Sequence, residues 1–291
     1  MTISIAAAIL QGAHQLRKAG VSDARREAGS LLGHVIERDR SFLISHAEDP
    51  ITSEEAAKFA EFLDERAKGK PLQYLTGHQE FFGLDFEVNA DVLIPRPETE
   101  LLVETALKIV AGSESSNLIC DVGTGSGCVV VTLLHEVPNA RGVALDISPA
   151  AIEVAQRNAA KHSVSDRLQF LVSDGFARVD QKEMVFDLIV SNPPYVPAGD
   201  IEGLQREVRD YEPHLALEAG PDGLDSVRRL LADAGAYLKT GGHLLFEIGF
   251  DQREAVERLI EPMVSSGSWN LFDIYPDLQG IPRTVALQKL T

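Results

Sequence analysis

The run Ser191-Asn192-Pro193-Pro194-Tyr195 combines what chemistry on a flat polar group needs. Asn192 offers a carbonyl acceptor and an NH2 donor, Tyr195 a flat apolar wall, and Pro193 and Pro194 a stiff backbone. Such a run can hold a planar group that carries an NH2. A bare Asn-Pro pair more often marks a turn that closes a strand. Here the full run lies downstream of a glycine cluster, Asp121-Val122-Gly123-Thr124-Gly125-Ser126-Gly127, and the combination favours a site over a turn.

Glycines at 123, 125 and 127 let a ligand come close to the backbone and to the N-terminus of a following helix. The dinucleotide fingerprint G-x-G-x-x-G is not met, because Cys128 fills its last slot. No lysine follows in the Walker manner, which argues against a nucleoside triphosphate. Asp146 stands 19 residues past Gly127, close to the spacing at which an acid grips ribose hydroxyls. Asp174, in Ser173-Asp174-Gly175-Phe176, can accept from an adenine amino group; by itself it reads as an Asx-turn. Arg96, between Pro95 and Pro97, is either a clamp over a ligand pocket or half of a surface ion pair. A ligand with a ribose, an adenine and a cation but no phosphates suits the acids Asp121, Asp146 and Asp174. S-adenosylmethionine is such a molecule.

These residues need strand ends and loops to hold them. Apolar runs at Leu118–Val122, Gly142–Asp146, Leu168–Val172 and Phe186–Val190 read as buried strands, and Cys128–Glu136 and Pro149–Lys161 as helices between them. Pro193 and Pro194 stop the fourth strand, so Asn192 falls at a C-terminal strand edge, where open α/β sheets bind ligands. The polar segment Val196–Gly220 is expected to be a lid or binding loop. A helix Leu224–Leu238 ending at Thr240-Gly241-Gly242, a strand His243–Gly249, a helix Gln252–Met263 and strands near Trp269–Ile274 and Pro282–Leu287 complete the pattern.

Upstream, residues 1–75 read as a small helical bundle. Ser22-Asp23 is expected to cap a helix running to Ile36, and Thr52 with Glu55 to form a capping box; Gly69 and Pro71 end the latter helix. Pro71–Gly77 reads as a turn-rich connector, and the alternation over Glu80–Val88 as a hairpin. Pro97 suits the first position of a helix running from Leu101 to Val110. The expected division is a helical docking domain at 1–75, a hairpin and linker at 76–100 and a catalytic domain at 101–291.

The 291 residues carry 44 acids against 27 bases, a net charge of −17, which argues against non-specific adhesion to nucleic acid or to anionic membrane. The apolar opening Met1–Leu10 has no basic n-region and no run is long enough to span a membrane, so a cytoplasmic protein is expected. Cys120 and Cys128 are expected to be reduced, buried and small, and no Cys or His spacing suggests a metal.

The glycine loop at 121–127 with Asn192–Tyr195 resembles the class I methyltransferases that modify planar amino nitrogens. Within them the chain is similar to the protein-(glutamine-N5) methyltransferases of peptide chain release factors, the PrmC/HemK family. The resemblance runs through Pro71-Leu72-Gln73-Tyr74, Ile94-Pro95-Arg96-Pro97-Glu98-Thr99-Glu100, Tyr211-Glu212-Pro213 and the tail Asp277 to Arg283, and so spans nearly the whole chain. It implies an α/β fold with a seven-stranded Rossmann-like sheet, a small N-terminal helical bundle and a connecting hairpin. It implies S-adenosylmethionine as cofactor, bound by Asp121, Gly123, Thr124, Gly125, Ser126, Gly127, Asp146, Asp174, Gly175 and Asn192. It makes Asn192, Pro193 and Tyr195 catalytic, with Arg96 and Pro194 also touching the substrate, a release factor; a monomer is expected. Gly175 departs from the family, which often has an aromatic there, so Phe176 or another side chain must replace that ring.

Three other readings compete. A DNA adenine-N6 methyltransferase shares Asn-Pro-Pro-Tyr, but it must flip a base and grip phosphates, for which this acidic chain has no evident basic segment. A non-catalytic S-adenosylmethionine-binding protein would have no need of Asn192–Tyr195. An NAD-dependent oxidoreductase is disfavoured by Cys128.

Overall fold

The computed structural model describes residues 3–110, 117–182 and 184–291, so the first two residues of the apolar opening lie outside it. The chain forms two compact units. The first comprises the chain up to His78 together with Gln205–Tyr211, and the second Gln79–Leu204 with Glu212–Thr291.

The first unit begins with β1 (Ile3–Ser4) and α1 (Ile5–Lys18), then α2 (Ala24–Ile36), α3 (Arg40–Ser45), β2 (Pro50–Ile51), α4 (Ser53–Ala67) and α5 (Leu72–Thr76). Leu16, Ala28, Leu31 and Leu32 are fully buried in its core beside Phe59 and Leu63. The capping box forms: Thr52 Oγ1 accepts from the Glu55 N–H at 3.1 Å, and Glu55 Oε2 from the Thr52 N–H at 2.7 Å. The expected Asp23 cap does not: Asp23 precedes α2 but makes no side-chain cap bond. Its carboxylate pairs with Arg26 at 2.9 Å instead, because an exposed guanidinium one turn on competes for it. The expected connector at Pro71–Gly77 is the short helix α5, closed by Gly77 in the left-handed region at φ +79°.

The hairpin β3 (His78–Phe81) and β4 (Leu84–Glu87) crosses from the first unit into the second at Gln79, and α6 (Glu100–Val110) follows, preceded by a 3₁₀ turn that Pro97 begins. There follow β5 (Leu118–Val122), α7 (Cys128–Glu136), β6 (Arg141–Asp146), α8 (Pro149–Lys161), β7 (Leu168–Val172) and β8 (Phe186–Ser191). After α9 (Arg206–Tyr211), which belongs to the first unit, come α10 (Asp225–Tyr237), β9 (Leu238–Glu247), α11 (Arg253–Ser265), β10 (Trp269–Pro276) and β11 (Pro282–Lys289).

Seven strands form one sheet in the order β10-β11-β9-β8-β5-β6-β7. Strands β5 to β9 run parallel, and β11 and β10 close the edge antiparallel. Side chains alternate across the sheet. Ile119, Leu188, Val190 and Leu245 pack with α6 and α7 on one face, and Cys120, Ile189, Leu244 and Phe246 with α10 and α11 on the other. Both faces are covered, which explains why these strands read as continuous apolar runs. Strand β5 pairs with β6 on one side and β8 on the other, so the winding reverses at β5 and leaves a crevice at its C-terminal end.

Strand β9 begins earlier than the sequence suggests. Phe186 pairs with Leu238 and the next register is Leu188 with His243, so Thr240-Gly241-Gly242 is an irregularity inside the strand, not a break before it. The segment Val196–Gly220 is also more structured than a bare loop. Two 3₁₀ turns, Ala198–Gly203 and His214–Ala216, lie within it on either side of α9. Its ends are pinned by Val196 N–H to Leu217 O at 2.8 Å and Ala219 N–H to Val196 O at 2.9 Å. No described helix is long and apolar enough to cross a membrane.

Candidate active site

A cleft of about 390 Å³ opens at the C-terminal edge of β5, β6 and β8. Its lining includes Asp121, Gly123, Thr124, Gly125, Ser126, Asp146, Asp174, Gly175, Asn192, Pro193, Pro194 and Arg96. Two of the residues expected there stand outside the lining, Gly127 and Tyr195.

The glycine loop is held by its strand neighbours. Gly123 and Thr124 N–H both donate to Leu145 O at 2.9 Å, which ties the loop to β6. Asp146 Oδ2 accepts from the Gly125 N–H at 2.8 Å and Oδ1 from the Ser148 N–H at 2.9 Å. Each carboxylate oxygen keeps a further lone pair for a hydroxyl. A Cβ added at Gly123, Gly125 or Gly175 meets nothing within 4 Å, so these backbones stand open to the cleft. Gly127 is different: at φ +81° its added Cβ would lie 3.1 Å from Ala155 Cβ. Its missing side chain therefore lets α7 pack on α8, and ligand access is not the reason for it.

Asp121, 1% exposed, accepts from Thr124 Oγ1 at 2.7 Å, and the Val130 backbone in the first turn of α7 favours its charged form. Burial pushes its carboxyl up to about 7, and Asp146 adds to the shift. Burial also raises Asp146, against the backbone N–H groups that lower it. The Cys128 thiol is pushed up to about 12 by burial, which makes it an inert packing group.

Asn192 ends β8. Ser191 Oγ donates to Val122 O at 2.7 Å and locks the ends of β8 and β5 together. Asn192 Nδ2 donates to Thr99 Oγ1 at 2.9 Å, and Thr99 Oγ1 donates to Glu247 Oε2 at 2.7 Å. Tethering the NH2 in this way leaves Oδ1 for the cleft. Tyr195 stands outside the lining, its carbonyl accepting from Gln252 Nε2 at 3.0 Å, and burial and the nearby Glu247 raise its phenol. Arg96 lines the cleft but pairs with Glu212, 3% exposed, which also accepts from the Ile94 N–H. Asp174 pairs with Arg229 at 2.8 Å across the cleft wall.

The donor set suits a cationic adenosine derivative. Asp91, Asp121, Asp146, Asp174, Glu218 and Asp233 face two guanidiniums, Arg96 and Arg229, each already paired with a carboxylate. A phosphate would meet this excess of negative charge unfavourably; a sulfonium or ammonium would not.

The chain matches the family described as PrmC N-terminal domain over residues 7–77 and that described as methyltransferase small domain over 97–207. A release factor glutamine methyltransferase of Koribacter versatilis is 41% identical over 276 residues, 95% of each chain. The chain belongs to the release factor glutamine methyltransferases. Another member, from Cereibacter sphaeroides, is 44% identical over 272 residues, 94% of each chain. A solved methyltransferase from Pyrococcus furiosus, 19% identical with a TM-score of 0.52, covers 72% of this chain and 91% of that one and shares the fold.

Within this glutamine methyltransferase, the space at Gly175 is open, and Phe176 does not fill it. Phe176 is 4% exposed and stacks on Tyr237 at 4.5 Å. The apolar groups that do face the cleft in the open are Ile147, 47% exposed, and Leu215, 60% exposed. Sequence reasoning missed both, although Ile147 directly follows the ribose-spaced acid. It also missed Thr99 and Glu247, which lie 148 residues apart and meet only through the topology.

Proposed function

We propose that the chain transfers a methyl group from S-adenosylmethionine to the side-chain amide nitrogen of the glutamine in the Gly-Gly-Gln motif of class I peptide chain release factors. The supporting observation is the Asn192 carboxamide, tethered by its NH2 to Thr99 in the same cleft as the open glycine loop.

When bound, the cofactor supplies a methyl carbon made electrophilic by its sulfonium. Asp121 would take the ammonium of its methionine part beside Gly123 and Gly125, and Asp146 the ribose hydroxyls. Ile147 and Leu215 would wall the adenine in the space above Gly175, with Asp174 at its border. The acceptor amide is a poor nucleophile because its lone pair is shared with its carbonyl. Asn192 Oδ1 and the Pro193 carbonyl would accept its two hydrogens, hold the nitrogen in line and favour pyramidalisation at attack. The N-methylated product is a strong acid while it keeps both hydrogens, so its proton leaves without a strong base. Pro194 and Arg96 would border the substrate, and Tyr195 would support the run from behind.

The first unit and the excursion Val196–Gly220 would take up the release factor outside its glutamine. That substrate places the activity in the cytoplasm. Radiolabelled methyl transfer to a purified release factor and to DNA tests the reading: label in the factor and none in DNA is expected, and the reverse overturns it.

A further inference from the structure

Glu247 ends β9 at the same sheet edge as the cleft but does not line it. It is 1% exposed, and a carboxylate withdrawn from water is costly unless donors meet it. Its hydrogen-bond donor is the hydroxyl of Thr99, and the phenol of Tyr195 also favours its charged form; both belong to the surroundings of Asn192. A hydroxyl has one proton to give. While Thr99 commits that proton to Glu247, Thr99 Oγ1 can only accept. Only the NH2 of Asn192 can then face it, and Oδ1 must point the other way. If the proton were free, the carboxamide could turn over and present hydrogens, not a lone pair, to an incoming NH2.

We propose that Glu247 is a positioning residue for methyl transfer: acting through Thr99, it holds the Asn192 carboxamide with its oxygen toward the acceptor nitrogen. This rests on glutamine methylation as the reaction. The groups that face Glu247 are Glu98 and Thr99 ahead of α6, Tyr195 after β8, Arg283 in β11 and Cys128 at the start of α7. Burial pushes its carboxyl up to about 7; Thr99, Arg283 and Tyr195 lower it and Glu98 raises it. Above that pH the ionised carboxylate can only accept, and the arrangement is locked. Below it the protonated group can itself donate to Thr99, and the lock is released.

The test is turnover by the full chain with cofactor saturating, from about pH 6 to about pH 9, for wild type, Glu247→Gln, Thr99→Val and Thr99→Ser. Wild type should lose kcat as pH falls through about 7. Glu247→Gln and Thr99→Val should lower kcat about tenfold and abolish that acid limb, with KM for the release factor and cofactor affinity within about twofold. Thr99→Ser keeps the hydroxyl and should retain both kcat and the limb. A Glu247→Gln enzyme with wild-type kcat and an intact limb overturns the proposal, as does a loss shared equally by kcat, KM and cofactor affinity. A second readout needs no activity: the Asn192 side-chain NH2 resonances should shift with pH near about 7 in wild type and stay flat in Glu247→Gln. Flat resonances in an active wild type sink the positioning role alone. A pH step in a wild type that methylates no release factor sinks the assigned reaction alone.

Discussion

Two carboxylates, Asp121 and Glu247, are buried with raised pKa values, and both lie at or behind the cleft. Such groups weaken a fold at neutral pH, so their concentration here marks function more than stability. For Asp121 the consequence is measurable. Burial holds its carboxyl at about 7 in the free protein, and a bound ammonium favours the ionised form. Below that pH the free protein carries a proton that the complex must release, so affinity falls as pH falls. The dissociation constant for S-adenosylmethionine should be lowest at about pH 7 to 8, before its own ammonium titrates, and rise about tenfold per unit below 7, with proton release seen by calorimetry. Asp121→Asn should bind weakly with no such slope; an unchanged slope would remove the role. Asn192→Ala should lower methyl transfer about 10²-fold with cofactor saturating, the scale of losing one transition-state hydrogen bond. Full turnover in that variant would contradict the two-acceptor cradle.

Among the elements, those defined by local pattern were legible. The strands of the parallel core read as continuous apolar runs because helices cover both sheet faces, and the Thr52 capping box was visible as spacing alone. What could not be read was pairing across the topology. Arg229 lies 55 residues from Asp174, and Glu212 116 from Arg96, and no local rule links them. Asp23 failed as a cap because a neighbouring arginine competes for it, a choice between two short-range partners that composition does not decide. The glycine loop shows how one motif serves two ends. Gly127→Ala forces a Cβ to 3.1 Å from Ala155 at φ +81° and should cost about 1–3 kcal/mol of stability. Gly125→Ala meets open space at φ +54° and should cost about 1–2 kcal/mol, with its main effect a fall of about tenfold or more in cofactor affinity. Thermal melts and titrations of the two variants separate these effects; equal affinity losses would refute the distinction.

In the whole molecule the boundary between units does not follow the sequence as a simple cut. Residues Gln205–Tyr211 belong to the first unit, where Glu207 pairs with the buried Arg66 at 2.7 Å beside Glu27. The chain thus leaves the second unit after Asn-Pro-Pro-Tyr and returns at Glu212, the partner of Arg96. A chain beginning at Gln79 keeps every residue lining the cleft but loses Arg66 and the rest of that pairing. It should bind cofactor within about threefold of the full chain and show KM for a release factor raised about tenfold or more. An unchanged KM would deny the first unit a docking role. The most direct test of the central claim is the mass of the Gly-Gly-Gln peptide from a release factor, before and after incubation with the full chain and S-adenosylmethionine. A gain of one methyl group located on the glutamine side chain is the expected result. An unmodified glutamine, with cofactor shown to be bound, would contradict it.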